Sequence, residues 1–159
     1  MGLALRNLLF TVMVPGSGAL WIPWWILTRG GDHPVASAWP AILVIAAGAA
    51  LYGWCLWLFA RIGRGTPGPW DAPRRFVAVG PYRWVRNPIY IAALLVVFGE
   101  AWLFRSTSLL VYAAGMAVIC HLFVVGYEEP TLRRRFGDEY AAYRSSVARW
   151  IPHPPRSIG

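Results

Sequence analysis

The chain contains no lysine and few acids, since all 15 of its basic residues are arginines and only seven residues are aspartate or glutamate. Its two cysteines, Cys55 and Cys120, lie far apart within apolar runs, so neither a disulfide framework nor a metal site is predicted. No G-x-G-x-x-G motif follows a strand pattern, which excludes a Rossmann-type fold. No nucleic-acid recognition motif occurs, so the formal net charge of +8 does not indicate nucleic-acid binding.

Apolar residues dominate the chain instead. It is 57% hydrophobic with ten tryptophans, and only 14% of its 159 residues are charged. A soluble domain of this length would leave much of that apolar surface exposed to water, so the composition favours an integral membrane protein. Because the arginines alternate with apolar runs of membrane length, we interpret them as partners of an anionic lipid surface.

Four apolar segments predict an all-α protein with about four transmembrane helices. The last two segments are separated by three residues only, so they form a tight helical hairpin. Proline and glycine interrupt the first segment, which membrane helices tolerate with a kink. The four segments are residues 5–27, 38–60, 88–104 and 108–126.

Charge predicts the orientation of these helices. Six arginines lie between the second and third segments and six follow the fourth, whereas the opposite loops hold only Arg29 and Arg105. The positive-inside rule therefore places both termini, the loop 61–87 and a helical C-terminal tail in the cytoplasm of an inner membrane protein. The apolar N-terminus is followed by no A-x-A cleavage site, so we expect it to be a retained helix.

The stretch GPYRWVRNPIY, residues 80–90, contains two helix starts in succession. Gly80 and Pro81 suit the beginning of a short helix that runs to Arg86 at the level of the lipid headgroups. Asn87 is a favourable N-cap and Pro88 a favourable first residue for the third transmembrane helix. The two prolines are therefore explained by backbone geometry, and the arginines are not.

Polar residues converge at the cytoplasmic side of the last hairpin. The third helix starts and the fourth ends on this side, so Arg86 is expected to meet Glu128 and Glu129. His121 precedes Glu128 by seven residues, which places it on the same helix face, at the depth of Tyr90. Carboxylates and a guanidinium that converge in this way suit a ligand carrying both an ammonium and a carboxylate.

Structural explanations stay open for each of these residues. Arginines beside a membrane set topology, and glutamates among arginines are often solvated partners. His121 is alternatively a buried residue that bonds a neighbouring helix. Glu100, within the third helix, is a functional candidate because acids are costly in membranes, yet it lies about one turn from the outer surface.

Two strings together resemble one enzyme superfamily: GPYRWVRNPIY, and then YEEPTLRRRFGDEYAAYRSSVARWIP after one helical hairpin. They resemble the isoprenylcysteine carboxyl methyltransferase and phospholipid methyltransferase superfamily over about residues 65–152. The resemblance implies an integral-membrane enzyme that holds S-adenosylmethionine between its last two helices and the tail. Arg86 matches the arginine of the RHPxY motif, in which Asn87 replaces the histidine. Ala148 replaces a proline of the tail motif.

The resemblance and the residue chemistry together assign the candidate site. A single membrane domain, 1–159, is expected to combine an N-terminal helical pair, 1–60, with a catalytic core, 61–159. The catalytic candidates are Arg86, His121 and Glu128. The cofactor-binding candidates are Gly80, Pro81, Tyr82, Arg86, Asn87, Tyr90, Glu128, Glu129, Tyr140, Tyr143 and Arg149.

Three functions are compatible with the sequence. The leading hypothesis is a methyltransferase of the isoprenylcysteine carboxyl type, acting on a lipophilic acceptor that arrives from the bilayer. The alternative is a phospholipid N-methyltransferase, since the asparagine before Pro88 and the proline after the acidic pair resemble that branch. An amine acceptor must lose a proton, for which His121 is the candidate. A non-catalytic scaffold that binds anionic lipid is the third possibility, and the oligomeric state is left open.

Overall fold

The computed structural model describes residues 11–13, 15–30, 38–63 and 76–154. Every regular element in these ranges is helical, which confirms the all-α prediction. The α-helices are α1 (Ile22–Gly30), α2 (Trp39–Leu58), α3 (Pro88–Leu103), α4 (Thr107–Phe123) and α5 (Glu129–Ser146). Single π-helical turns cover Ser17–Trp21, Phe59–Gly63 and Val124–Glu128, and Gly80–Arg83 forms a 3-10 helix.

Two of the helices are long and apolar enough to cross a membrane. They are Trp39–Gly63, with 25 residues, and Thr107–Ser146, with 40 residues. Only the apolar first half of the second one, up to residue 126, suits the hydrocarbon core, because arginines crowd the remainder. Helix α3 is apolar but has 16 residues, about 24 Å, which is shorter than a typical core of about 30 Å.

The helix boundaries agree with the predicted segments where the structure describes them. Helix α2 with its π-turn covers the segment 38–60, and α3 covers 88–104 apart from its last residue. The predicted first span, 5–27, lies partly outside the described residues, which begin at residue 11 and omit residue 14. The predicted hairpin turn is present, with Arg105 at φ 49° and the Ser106 hydroxyl accepting a hydrogen bond from the Leu109 amide.

Helices α2 and α3 pack antiparallel at very short range. A Cβ on Gly48 would lie 2.8 Å from the Ala92 carbonyl oxygen. A Cβ on Gly99 would lie 2.6 Å from Ile45. The two glycines allow the helix backbones to approach closely at two successive levels of the contact. This packing holds the start of α3 against the C-terminal half of α2.

The N-terminal helical segment packs against the other face of the last hairpin. Tyr112 of α4 donates a hydrogen bond of 2.7 Å to the Gly18 carbonyl oxygen. Ala19, Val97 and Ala113 form a buried apolar cluster beside this bond. Small side chains at the centre allow three helical segments to meet closely.

The fourth helix continues through a π-turn and Pro130 into α5. Proline lacks an amide hydrogen, and its ring clashes with the carbonyl four residues earlier in an α-helix. The wider π-turn Val124–Glu128 immediately before it accommodates this clash. Gly137, at φ 51° and ψ −122°, then redirects the chain within α5, a conformation that glycine adopts without strain.

The predicted short helix 81–86 is wrong in its extent. The structure has only a 3-10 turn, Gly80–Arg83, which begins with Gly80 at φ 59°. Pro88 pushes Asn87 out of helical geometry, and the Arg86 amide donates to the Ala148 carbonyl oxygen at 2.9 Å. Residues 64–75 of the predicted loop lie outside the described residues.

Candidate active site

Three charged side chains meet where α3 begins and α5 starts. Arg149 donates two hydrogen bonds to Glu129, from Nε to Oε1 at 2.7 Å and from an Nη to Oε2 at 3.0 Å. Arg86 forms an ion pair with the same carboxylate, with 3.0 Å between its Nη1 and Oε1. The side chains of Arg86 and Glu129 are each only 10% exposed. Glu129 is therefore a shared anchor for two arginines.

The electrostatics of Glu129 follow from this arrangement. Burial alone would raise the pKa of its carboxyl, but the hydrogen bond from Arg149 and the charges of Arg86, Arg149 and Arg144 outweigh burial. The pKa of Glu129 consequently lies below its usual value. The same hydrogen bond raises the pKa of Arg149. Glu129 is thus held as a carboxylate by groups of the protein itself.

Glu128 has a different environment, although it is the adjacent residue. Its Oε2 accepts a hydrogen bond of 2.7 Å from the Tyr90 hydroxyl. No ion pair reaches it within the part of the chain that the structure describes. Tyr90 lies in the first turn of α3, and Arg86 lies just before that helix. The two adjacent glutamates therefore contact different residues near the start of α3. A carboxylate accepts more than one hydrogen bond, so Glu128 keeps acceptor capacity.

The Arg86 guanidinium has hydrogen-bond donors that find no acceptor among the described residues. Its Nε and Nη1 are buried and have no hydrogen-bond acceptor among the described residues. The Nη1 contact with Glu129 is close enough for an ion pair but lacks hydrogen-bond geometry. Burial raises the pKa of the nearby Tyr140 hydroxyl, and Arg86 opposes this rise. Buried donors without acceptors suit an anionic ligand group.

Aromatic rings form a wall beside Glu128. Trp150 packs edge-on to Tyr90, with 6.5 Å between ring centroids. The indole Nε1 of Trp150 donates a hydrogen bond of 3.0 Å to Nδ1 of His121. His121 is exposed, and its partner lies in the tail rather than on a neighbouring membrane helix, so the expectation of a buried helix-bonding histidine is wrong. Such rings can contact a cationic or an aromatic ligand group.

The tail that carries Arg149 and Trp150 is tied to the residues before α3. Tyr143 donates a hydrogen bond of 2.7 Å to the Tyr82 carbonyl oxygen. Asn87 Nδ2 donates one of 3.1 Å to the Arg149 carbonyl oxygen. Rings of the tail surround Phe76; they belong to Phe136, Tyr140 and Tyr143.

Three of the candidates, Gly80, Pro81 and Tyr82, pack towards α2 and do not belong to the charged cluster of Arg86, Glu129 and Arg149. A Cβ on Gly80 would lie 3.0 Å from Leu58, and the Tyr82 ring packs into a cluster with Cys55 and Leu58. Gly80 and the buried side chains of Pro81 and Tyr82 thus support the segment from the α2 side, and the Tyr82 carbonyl accepts the hydrogen bond from Tyr143. Glu100 is remote from the cluster, near the other end of α3, with its Oε2 buried.

Two contacts at the candidate site were not predicted from the sequence. Asn87 occupies the predicted N-cap position but makes no side-chain cap bond, because its amide is directed to the tail. Trp150 was not among the candidates, yet it connects Tyr90 with His121. No local pattern marks either contact, since both join residues that are far apart in the chain. Asparagine in place of the histidine in an RHPxY motif was the only available signal at position 87.

A family model described as phospholipid methyltransferase matches residues 37–139. The match starts before α2 and includes Arg86, Glu128 and Glu129, whereas Tyr140, Tyr143 and Arg149 lie beyond it. No curated protein and no solved structure matches the chain. The match confirms the superfamily indicated by the two strings, and its range extends over more than half of the chain. The protein is a member of the phospholipid methyltransferase family.

Proposed function

We propose that this protein transfers a methyl group from S-adenosylmethionine to a lipid acceptor that reaches the site from the bilayer. The observation that carries the proposal is the buried Arg86 guanidinium, with Nε and Nη1 lacking acceptors among the described residues. Leaving such donors unsatisfied is costly, and a ligand carboxylate beside the guanidinium would accept a charge-assisted hydrogen bond from one of them. The amino-acid part of S-adenosylmethionine carries a carboxylate.

Glu128 supplies the complementary charge. Glu129 is occupied by Arg149 and Arg86, whereas Glu128 has only the Tyr90 hydroxyl as a partner among the described residues. We propose that Glu128 binds the ammonium of the cofactor next to the carboxylate held by Arg86. The acidic pair then has two tasks, with Glu129 ordering the tail and Glu128 binding the ligand.

When bound, S-adenosylmethionine supplies an electrophilic methyl group on a sulfonium cation. The faces of Tyr90 and Trp150 would stabilise that positive charge and exclude water from it. Methyl transfer is an in-line displacement, so alignment of the two substrates is the main contribution of the protein. The tail residues Arg149 and Trp150 provide this alignment by their contacts with Glu129 and His121.

The family match supports a phospholipid headgroup amine as the acceptor, which gives up its ammonium proton to water at the headgroup level before its nitrogen attacks the methyl carbon. The carboxylate of an isoprenylcysteine-type lipid is the competing acceptor, and the two differ chemically after reaction. Alkali hydrolyses a methyl ester and releases the labelled methyl group as methanol, whereas an N-methyl group stays on the lipid headgroup. Incubation of membranes with methyl-labelled S-adenosylmethionine, followed by alkaline treatment of the labelled lipid, separates them. Purified protein without any calorimetric response to S-adenosylmethionine would instead favour the lipid-binding scaffold.

The proposed topology has four membrane crossings with both termini in the cytoplasm of an inner membrane. Reporter fusions after Arg29 and after Arg105 are expected to report the outer face, because twelve arginines lie in the segments assigned to the inner face. A fusion within the tail after Ser146 is the matched control and should report the cytoplasm. A cytoplasmic signal from either outer fusion would contradict the topology with four crossings.

His121→Gln is expected to reduce turnover by less than about tenfold, which is below the effect of removing a general base. The reason is that Nδ1 accepts from Trp150, so the neutral ring carries its proton on Nε2 and can gain another only by giving up Trp150. The glutamine amide oxygen can accept the same hydrogen bond, whereas His121→Leu cannot and should disturb Trp150. Turnover is measured per folded molecule in both variants.

A loss of about 10²-fold in the glutamine variant, with cofactor affinity unchanged, would contradict this prediction. It would assign the proton-acceptor role to His121. A larger loss in the leucine variant than in the glutamine variant is the expected pattern.

A further inference from the structure

The last described residues, 147–154, form an irregular strap that lies across residues 82–87. Helix α5 ends at Ser146, and Val147 adopts extended geometry. The Arg86 amide donates to the Ala148 carbonyl oxygen at 2.9 Å, and the His153 amide donates to the Trp84 carbonyl oxygen at 3.0 Å. Backbone hydrogen bonds at two points therefore dock the strap, but they carry no preference for side chains.

Asn87 is the side chain that joins this strap to the start of α3. It is only 5% exposed. Its position, directly before Pro88, is the N-cap, where asparagine normally accepts a hydrogen bond from the first turn of the helix. Asn87 makes no such bond and donates from Nδ2 to the Arg149 carbonyl oxygen at 3.1 Å. The amide is thus used as a donor to the strap.

The residues held by this bond are those that complete the charged cluster and the aromatic wall. Arg149 donates to both carboxylate oxygens of Glu129, and Nη1 of Arg86 lies 3.0 Å from one of them without hydrogen-bond geometry. Nε and Nη1 of Arg86 therefore have no hydrogen-bond acceptor among the described residues. Trp150 follows directly and packs against Tyr90. A displaced strap would release Glu129 to pair fully with Arg86, and the donors available to a ligand carboxylate would be consumed.

We propose that Asn87 is a positioning residue that couples docking of the strap to assembly of the cofactor site. Through its amide it places Arg149 on Glu129, and this contact keeps Arg86 available for the ligand. The inference rests on the proposed function, because the ligand it serves is S-adenosylmethionine. It also explains a choice of residue: aspartate is an equally good N-cap but cannot donate to a carbonyl.

The test compares Asn87→Asp with Asn87→His in the full-length protein in detergent. Aspartate keeps the size and the capping oxygen of asparagine and adds a charge that favours a helix N-terminus, while it removes the donor. Histidine keeps a ring N–H donor and is the residue of the RHPxY motif at this position. Ser145→Ala is the control, since its exposed hydroxyl bonds only the Ala142 carbonyl within α5.

Two quantities are measured for each variant: hydrogen exchange of residues 147–154 without ligand, and the Kd for S-adenosylmethionine. We expect Asn87→Asp to accelerate exchange of the strap and to weaken S-adenosylmethionine binding, each by about tenfold or more, because the partly buried Arg149 carbonyl loses its donor. Asn87→His is expected to restore both towards the wild type, and Ser145→Ala to change neither.

Unchanged exchange and affinity in Asn87→Asp would assign Asn87 to helix capping and overturn the proposal. Faster exchange with unchanged affinity would equally overturn it, since the strap and the site would then be independent. Equal losses in the aspartate and histidine variants would show that fit rather than the donor matters, which also contradicts it. Failure of the wild type to bind S-adenosylmethionine would overturn the proposed function and with it the coupling, while the exchange data would still decide whether Asn87 holds the strap.

Discussion

Arg86→Ala is expected to weaken S-adenosylmethionine binding by about 10- to 100-fold while the protein remains folded in detergent. A charge-assisted hydrogen bond contributes about 1.5–3 kcal/mol, and Arg86 has two buried donors without acceptors among the described residues. Folding should persist because Arg149 still makes two hydrogen bonds to Glu129. Calorimetric Kd and thermal unfolding are measured on the same preparation.

Arg83→Ala is the matched control for Arg86→Ala. It removes the same charge three residues earlier, from an exposed side chain at the end of the 3-10 turn. Arg86→Lys adds a second comparison, since lysine keeps the charge but lacks the planar fork that grips a carboxylate in two places. Equal affinities in the alanine variant and the wild type, or equal losses at positions 83 and 86, would remove Arg86 from the cofactor site.

Glu128→Gln and Glu129→Gln are expected to fail in different ways, although they alter adjacent and chemically identical residues. Glu128→Gln should weaken S-adenosylmethionine at least about tenfold and leave thermal stability near that of the wild type, because its described partner is the neutral Tyr90 hydroxyl. Glu129→Gln should lower the free energy of unfolding by about 1.5–3 kcal/mol, since it removes the anion shared by Arg86 and Arg149. The measurements are Kd, unfolding temperature and exchange of residues 147–154.

The free energy of unfolding at acid pH gives a second test of the role assigned to Glu129. Because the folded pKa of Glu129 lies below its usual value, its contribution is complete above about pH 4.3 and is lost as pH falls through the folded pKa. Glu129→Gln should abolish this part of the pH dependence. If Glu128→Gln released the strap and Glu129→Gln did not, the two roles would have to be exchanged.

The helices could be predicted because a membrane-spanning helix needs an apolar run of sufficient length, which is visible in the sequence alone. A span needs an uninterrupted apolar run with its backbone satisfied internally, so the bounds of α2, α3 and α4 follow closely from hydropathy and proline positions. The meeting of Arg86 with the acidic pair followed from topology, since a hairpin returns the chain to the side on which it began. The π-turn before Pro130 did not follow, because it depends on local strain rather than on composition.

The amino-acid sequence by itself determined the helical membrane fold, the family and the cluster of charged candidates at one end of the last hairpin. Only the tertiary structure decided the partner of each side chain. Glu129 pairs with two arginines, Glu128 accepts a hydrogen bond from Tyr90, and Asn87 donates one to the strap. The physical reason is that burial patterns and charge bias are summed along the chain, whereas hydrogen-bond partners depend on ångström distances between distant segments. Adjacent glutamates look alike in a sequence, and they differ here because a helix start, a tail and a tyrosine lie at different angles around them.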